Sequence, residues 1–552
     1  MRSIRLHALA LMLSLTALPI AAQARVFVRA GAPDGGDGSS WANAHARLET
    51  ALSAHPGEEI WVAHGRYTPP PNPDPNLTPS EQRRKTSFLI PPGTRIYGGF
   101  AGSESTLEQR DVRANSTVLS GDMQADDGNR DARGVTPTPD DIAGDNARHV
   151  VRFDATIWNA GNGADIGPDT VLDGFVISGG FASEDLYEAG GGGAVCIAGY
   201  ESGSIGRCSP TLRHLEFVGN LAGDGTGTGG GGAFAVYSGG APAAPDVQNV
   251  VFRNNRSTSD GGAVKASSYW TVLAPRFTDV EFRDNEAVSG GALALTDFFD
   301  ATVDRALFSG NHARRNLPED TDSFSNGGAL YINGGFVYED SFARLRVSNA
   351  VFVGNEAENL GGAVMNVSNG AATRVELVNS SFSGNRARLG GVLFVPDVDG
   401  PVTQILDSIL WGNVATQPPA DFDAFAQGAG NNIYGDYSEA TSRVEIGHSL
   451  LQNGLTAPGV VYYQGYEAFP SNRLVNLGGL SSADPRFFDA ALRLRNDSPA
   501  IDAGNDAYNL TTSDRDGNAR VWGAHVDMGA YEFGSNRCSN TSDGVFCDGF
   551  ED

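Results

Sequence analysis

The stretch FVGNEAENLGGAVMN, residues 352–366, holds a Phe, an Asn three residues later, and a Gly-Gly-Ala that opens an alternating apolar run. The same text recurs. F-x-x-N stands at Phe217/Asn220, Phe252/Asn255, Phe282/Asn285, Phe308/Asn311, Phe352/Asn355 and Phe382/Asn385, with a weaker copy at Leu410/Asn413. Gly-Gly pairs alternate with it at 192–193, 231–232, 261–262, 290–291, 327–328, 361–362 and 390–391. Successive Phe positions lie 35, 30, 26, 44 and 30 residues apart, a repeat with variable loops in the period range of solenoids.

Alignment on the Phe brings out further columns. Five residues earlier stand Leu212, Val247, Phe277, Val303, Val347 and Leu377; two earlier stand Leu215, Val250, Val280, Ala306, Ala350 and Ser380. Three earlier the column is polar: His214, Asn249, Asp279, Arg305, Asn349 and Asn379, continued by Asp407. Because Asn recurs there, corner geometry explains that column better than an active-site row. Alternation over about four residues is the period of a strand. Short strands separated by Gly/Asn corners bury their faces only by stacking on copies of themselves, in ladders about 4.8 Å apart. Phe then stacks on Phe inside, and Asn on Asn at a corner that tolerates left-handed backbone. Gly-Gly allows a sharp turn and close approach of coils. The expected fold is all-β, a right-handed parallel β-helix, its hand set by the crossover rule. A propeller would show a regular period of about forty with antiparallel hairpins.

Composition agrees. Gly is 71 of 552 residues, well above the usual share, and a 40% hydrophobic fraction is enough to fill a core. Residues 1–24 read as a signal peptide: Arg2 and Arg5, an apolar run from Leu6 to Ala22, and the A-x-A site Ala22-Gln23-Ala24. Its removal takes the formal charge from −27 to −29. A field of that sign excludes nucleic acid as a partner and repels acidic polymers. No later run is long enough to cross a bilayer as a helix. The four cysteines form two close pairs, Cys196 with Cys208 and Cys538 with Cys547; in an exported chain two local disulfides are expected.

Residues 25–170 read as the N-terminal cap and first coils. Trp41, Ala44, Leu48 and Leu52 share one helical face between Ser39-Ser40 and Pro56-Gly57, and a helix there would cover the open first coil. Residues 171–483 are the repeat region, 484–533 the C-terminal coils, and 534–552 an acidic tail.

The alternating F-x-x-N and G-G-A units over roughly 175–415 resemble the polymorphic outer-membrane protein repeat of β-helical surface proteins. Asp484-Pro485, Ser498-Pro499-Ala500-Ile501-Asp502-Ala503-Gly504 and Asp527-Met528-Gly529-Ala530-Tyr531-Glu532-Phe533 resemble the end of secreted choice-of-anchor β-helix proteins. Asp548-Gly549-Phe550-Glu551 is similar to tails of exported Gram-negative proteins, a sorting signal. The resemblance implies an exported protein, extracellular or on the outer-membrane surface of a Gram-negative bacterium, with an adhesin-like role. The family's C-terminal transmembrane barrel has no counterpart strands after residue 533.

Aromatics five to ten residues after successive Gly pairs are the candidate ligand-binding set: Tyr200, Tyr237, Tyr269, Trp270, Phe298, Phe299, Phe336 and Tyr338. Loops at that position emerge along one side of the rod, where flat faces with polar tips suit a glycan or a cell-surface protein. The competing reading is packing beneath neighbouring loops. Asp514, Asp516 and Asn518 have the oxygen spacing of half a Ca2+ loop without the distal Glu, and Asp126-Asp127-Gly128-Asn129 with Asp131 is similar; both are also plain turn sequences. No other cofactor is expected. The enzymatic alternative is a polysaccharide lyase or glycoside hydrolase, with Asp297, Asp300, Asp304 and Arg305 the nearest candidates. Lys265 reads as a lone exposed base, one of two lysines in the chain.

Overall fold

The computed structural model describes residues 25–534 apart from 159–162, 184–189, 200–205, 224–228, 316–324, 336–341, 369–372, 397–399, 417–431, 437–441, 456–459 and 464–472. The segment expected to be a signal peptide, Cys538, Cys547 and the acidic tail lie outside the described residues.

The chain is a right-handed parallel β-helix. Every strand-to-strand pairing is parallel and joins one coil to the next, as in Asp246–Arg253 on Thr211–Val218 and on Arg276–Arg283. Among the described residues the strands form three ladders along the rod, the shortest confined to residues 181–415. The longest is bent at the polar column into two legs. His214, Asn249, Asp279, Arg305, Asn349, Asn379 and Asp407 all take φ between 47° and 54°, so the column is a left-handed corner. After the second leg comes a ladder of two-residue strands, such as Arg256–Ser257 and Glu286–Ala287. The third ladder follows each Gly-Gly pair, as in Val264–Ser268 and Leu330–Gly334. The loops leading back to the long sheet leave from its far end, so it is called here the loop-side sheet.

The core is made of files. Rings of Phe217, Phe252, Phe282, Phe308, Phe352 and Phe382 stack with centroids 4.5–5.1 Å apart and planes within 10° of parallel. Beside them the buried Asn220, Asn255, Asn285, Asn311, Asn355, Asn385 and Asn413 form a hydrogen-bonded ladder. Each Nδ2 donates to the next Oδ1 at 2.9–3.0 Å, and that oxygen also accepts the backbone N–H of the Asn before it. Left-handed backbone at this corner belongs to the residue one earlier, Gly219, Asn254, Asp284, Gly310, Gly354, Gly384 or Gly412, so the Asn is selected for its amide and not for its φ. The Gly pair divides two tasks. Gly261 has φ 67°, while a Cβ on Gly262 would lie 2.1 Å from the Gly291 carbonyl oxygen of the next coil.

The N-terminal cap is present but split. Trp41–Asn43 is a single 3-10 turn and only Leu48–Ala54 is α-helical. Between them the chain is extended, because the first strand, Arg25–Val28, has an open edge. His45 fills it: its N–H donates to Phe27 O and its carbonyl accepts from Arg29 N, each at 2.9 Å. Trp41 leaves the helical face and packs on Phe27 and Phe100. Ala44, Leu48 and Leu52 are buried as expected, and Ala51 joins them.

Residues 484–533 do not form further coils. They contain no strand and fold back as a strap over the outer face of the second leg. Several outward residues of that leg are apolar in these coils, among them Val351, Ile409 and Leu450, and the strap covers them with Leu492, Leu494, Ala500, Met528, Ala530 and Tyr531. The corner column docks it: Asn349 Nδ2 donates to Thr511 Oγ1 at 2.8 Å, and Asp407 accepts the Asn505 N–H on Oδ1 and the Gly529 N–H on its carbonyl, both at 2.8 Å.

Candidate functional site

The outer face of the loop-side sheet carries the candidate site. Alternation sends Val264 and Ala266 into the core and Lys265 and Ser267 outward; one coil away the outward pairs are Ala235 with Tyr237 and Ala294 with Thr296, then Tyr331 with Asn333. Lys265 is not a lone exposed base. Its Nζ lies 3.4 Å from Asp260 Oδ2 and 3.3 Å from Gly229 O, and its side chain is largely covered. Burial alone would favour the neutral amine, but the carboxylates of Asp260 and Asp297 and the Tyr237 hydroxyl outweigh it and hold the ammonium above the ordinary lysine range. Asp297, at the end of strand Leu293–Asp297, accepts from Ser267 Oγ at 3.0 Å; burial pushes its carboxyl upward against that bond. Tyr237 is pushed up by burial, with Tyr269 and Asp260 adding to the shift and Lys265 opposing it.

Tyr269 and Trp270 are the exposed part, at 51% and 55% of their surface. The turn that presents them is pinned. Tyr269 N–H donates to Ser238 O at 3.1 Å, Thr271 N–H to Ser268 Oγ at 3.2 Å, and Thr271 Oγ1 to Ala241 O at 3.1 Å. Two adjacent, half-exposed aromatic side chains therefore stand on a hydrogen-bonded turn that follows the strand bearing Lys265. This arrangement offers stacking and hydrogen bonds to a bound ring.

The other expected aromatics do not extend the row. Phe298 and Phe299 are 7% and 0% exposed, because alternation turns Phe299 into the core beneath the Leu273 bridge. Tyr237 packs on Val195, Ile197 and Ala235. Tyr200, Phe336 and Tyr338 lie outside the described residues. Asp297, Asp300, Asp304 and Arg305 do not converge either: Asp304 and Asp279 pair with Arg305 at the corner, and Asp300 lies in register with Arg344 on the first leg.

The cation candidates resolve into turns and ion pairs. Asp514 Oδ1 accepts the N–H groups of Asp516 and Asn518, Oδ2 accepts that of Glu532, and Asp516 pairs with Arg493. Asn129 and Asp131 bond Asp141 and Arg133. Asp126 and Asp127 do meet Asp122, with carboxylate oxygens within 4.8 Å of one another, but Arg66 and Arg130 already neutralise Asp122. The disulfide Cys196–Cys208 is formed and lies inside the tube.

Two features escaped the sequence. One is the cluster of Asp260, Lys265, Asp297 and Tyr331, which only the coil register assembles. The other is a cavity of about 540 Å³ in the strap, walled by Phe488, Arg493, Tyr531 and Phe533. Its residues come from both ends of the 484–533 segment, with no spacing that announces them.

Residues 249–267 span one coil, from the Asn249 corner through Phe252, Asn255 and Gly261-Gly262 into the loop-side strand. That unit matches the Chlamydia polymorphic membrane protein repeat. Among solved structures, the crystal structure of pectate lyase Pel9A aligns over 92% of this chain and 96% of that chain, at 12% identity and a TM-score of 0.41. No curated protein matches the chain. Among the described residues no helix is long and apolar enough to cross a membrane.

Proposed function

We propose that the protein is an exported, surface-associated β-helix that acts as an adhesin, binding a glycan or a cell-surface protein with the Tyr269–Trp270 edge of its loop-side sheet. The half-exposed pair of aromatics on its hydrogen-bonded turn carries this reading. The matched repeat of a membrane-protein family supports the surface assignment. The charge state of Lys265 favours binding over elimination chemistry. A general base must be neutral at working pH, whereas Asp260 and Asp297 keep this amine protonated.

A glycan array and a panel of surface proteins probed with wild type and Tyr269→Ala/Trp270→Ala test the reading. A ligand retained by wild type and weakened about tenfold or more by the double variant is the expected result, given ~1–3 kcal/mol for a lost ring-stacking contact. Equal signals from both proteins, or release of unsaturated or reducing ends from a polysaccharide, would contradict it.

A further inference from the structure

The outward face of the first leg differs in charge from the rest of the molecule. In strands Ala343–Ser348 and Thr373–Val378 the core takes Leu345, Val347, Val375 and Leu377, so Arg344, Arg346, Arg374 and Glu376 point out. Register places Arg344 directly against Arg374, Arg374 against Val402, and Val402 against Arg443. Like charges one coil apart on a ladder repel. Glu376 offsets part of this. Its carboxylate accepts from Arg344 Nη2 at 2.8 Å, Arg346 Nε at 2.8 Å and Arg374 Nε at 2.8 Å. Three guanidiniums against Glu376 and Asp300, which lies in register with Arg344, leave a local surplus of one positive charge on a chain whose formal charge is −27. Their side chains remain 34%, 32% and 49% exposed. A guanidinium has five N–H donors, so donors are left over to face solvent.

The geometry points to a linear acidic polysaccharide as the occupant, laid along the rod axis, with its carboxylate or sulfate groups gripped by Arg344, Arg346 and Arg374. Arg344 and Arg374 stand one coil apart, about 4.8 Å along the axis and close to one sugar ring along an extended chain, before Val402 interrupts the file. Their planar forks match carboxylate and sulfate oxygens. The overall negative field does not forbid this contact, because charges beyond about 8 Å are screened at physiological ionic strength. Glu376, 5% exposed, is the positioning residue. Burial pushes its carboxyl up, but the three guanidiniums outweigh burial and keep it ionised, locking all three side chains.

This face is separate from the Tyr269–Trp270 edge, and the test keeps them apart. Full-length protein is measured against immobilised heparin, alginate and neutral dextran, and against anionic vesicles, across a salt series. Wild type binds heparin or alginate, not dextran, and loses binding as salt rises; whichever of the two is held names the anion. Arg344→Gln/Arg374→Gln weakens binding about tenfold or more, the loss of a pair of charge-assisted bonds. Val402→Lys continues the basic file and strengthens binding several-fold, an increase that misfolding would not produce. Tyr269→Ala/Trp270→Ala leaves it unchanged. Equal binding by wild type and the double Arg variant, no gain from Val402→Lys, or binding to vesicles in place of glycans would overturn the proposal.

Discussion

The repeat coils and the C-terminal strap are built on opposite plans. Each coil adds the same Phe, the same Asn and the same Gly pair to files that already exist, so each contact is made again a coil later. The strap has no file. It is held by unlike residues around one buried cation, Arg520, which faces Asp407, Asp514, Asp527 and Glu532 and donates to the carbonyls of Asp527 and Gly529. The coils are stabilised by repetition of neutral groups. The strap is stabilised by a charge balance that depends on protons.

The largest effects should fall within the files. Phe308→Ala opens a void between rings 4.5 and 4.9 Å away and should cost ~3–5 kcal/mol in a chemical denaturation series. A cost below ~1 kcal/mol would mean that the stack is incidental. Asn311→Ala should follow at about 3 kcal/mol. It leaves the Asn285 amide and the Phe282 carbonyl without their partners inside the tube, where each orphaned group costs ~1–3 kcal/mol. Its effect should spread to the coils on either side, which amide exchange would reveal.

Next comes pH, and here the two regions should diverge in sign. Burial pushes Asp407 and Glu532 up to about 7. A carboxyl with a raised pKa holds a proton that the undocked strap would release. Docking is therefore favoured at pH 5 and weakens as pH rises toward 7 and beyond. Glu376 has a lowered pKa, so its contribution to the first leg is present at neutral pH and is lost only as pH falls below the ordinary carboxylate range. Limited proteolysis of the strap should accelerate between pH 5 and 8, and Asp407→Asn should flatten that dependence. Acceleration on acidification would reverse the assignment. The smallest effect expected is that of Ser381→Ala, which removes the hydroxyl accepting the Ala530 N–H at 3.0 Å; it should loosen the strap by about 1 kcal/mol and leave the files untouched.

The same contrast explains what could be read in advance. The Phe, Asn and Gly columns are legible because stacking forces one solution onto every coil, and the register follows from the spacing. Corner residues such as Asn249 and Asp407 were legible for their backbone conformation. The docking role of Asn349 and Asp407 was not, because their strap partners lie 162 and 98 residues away. A signal was present: the residues just before each Phe turn apolar at Leu307 and Val351, and an outward apolar strip needs a cover. The cap helix was misjudged in its first turn because an open strand edge recruited His45, a demand that helical periodicity does not register. For the candidate site, aromatic type and loop position pick out Tyr269 and Trp270, which the structure leaves exposed. They could not separate these from Phe298 and Phe299, which the next strand draws inward, nor bring Asp260 and Asp297 to Lys265.

Hydrogen–deuterium exchange of the full chain at pH 5 and pH 8, corrected for intrinsic rates, tests the account most directly. Segments around Asn255, Asn285, Asn311 and Asn355 should be the last to exchange at both values, while 484–533 should exchange earlier and lose protection at pH 8. If the Asn segments exchange early and independently of one another, or the strap is as protected as the coils at both pH values, the division into a stacked tube and a proton-dependent strap is wrong.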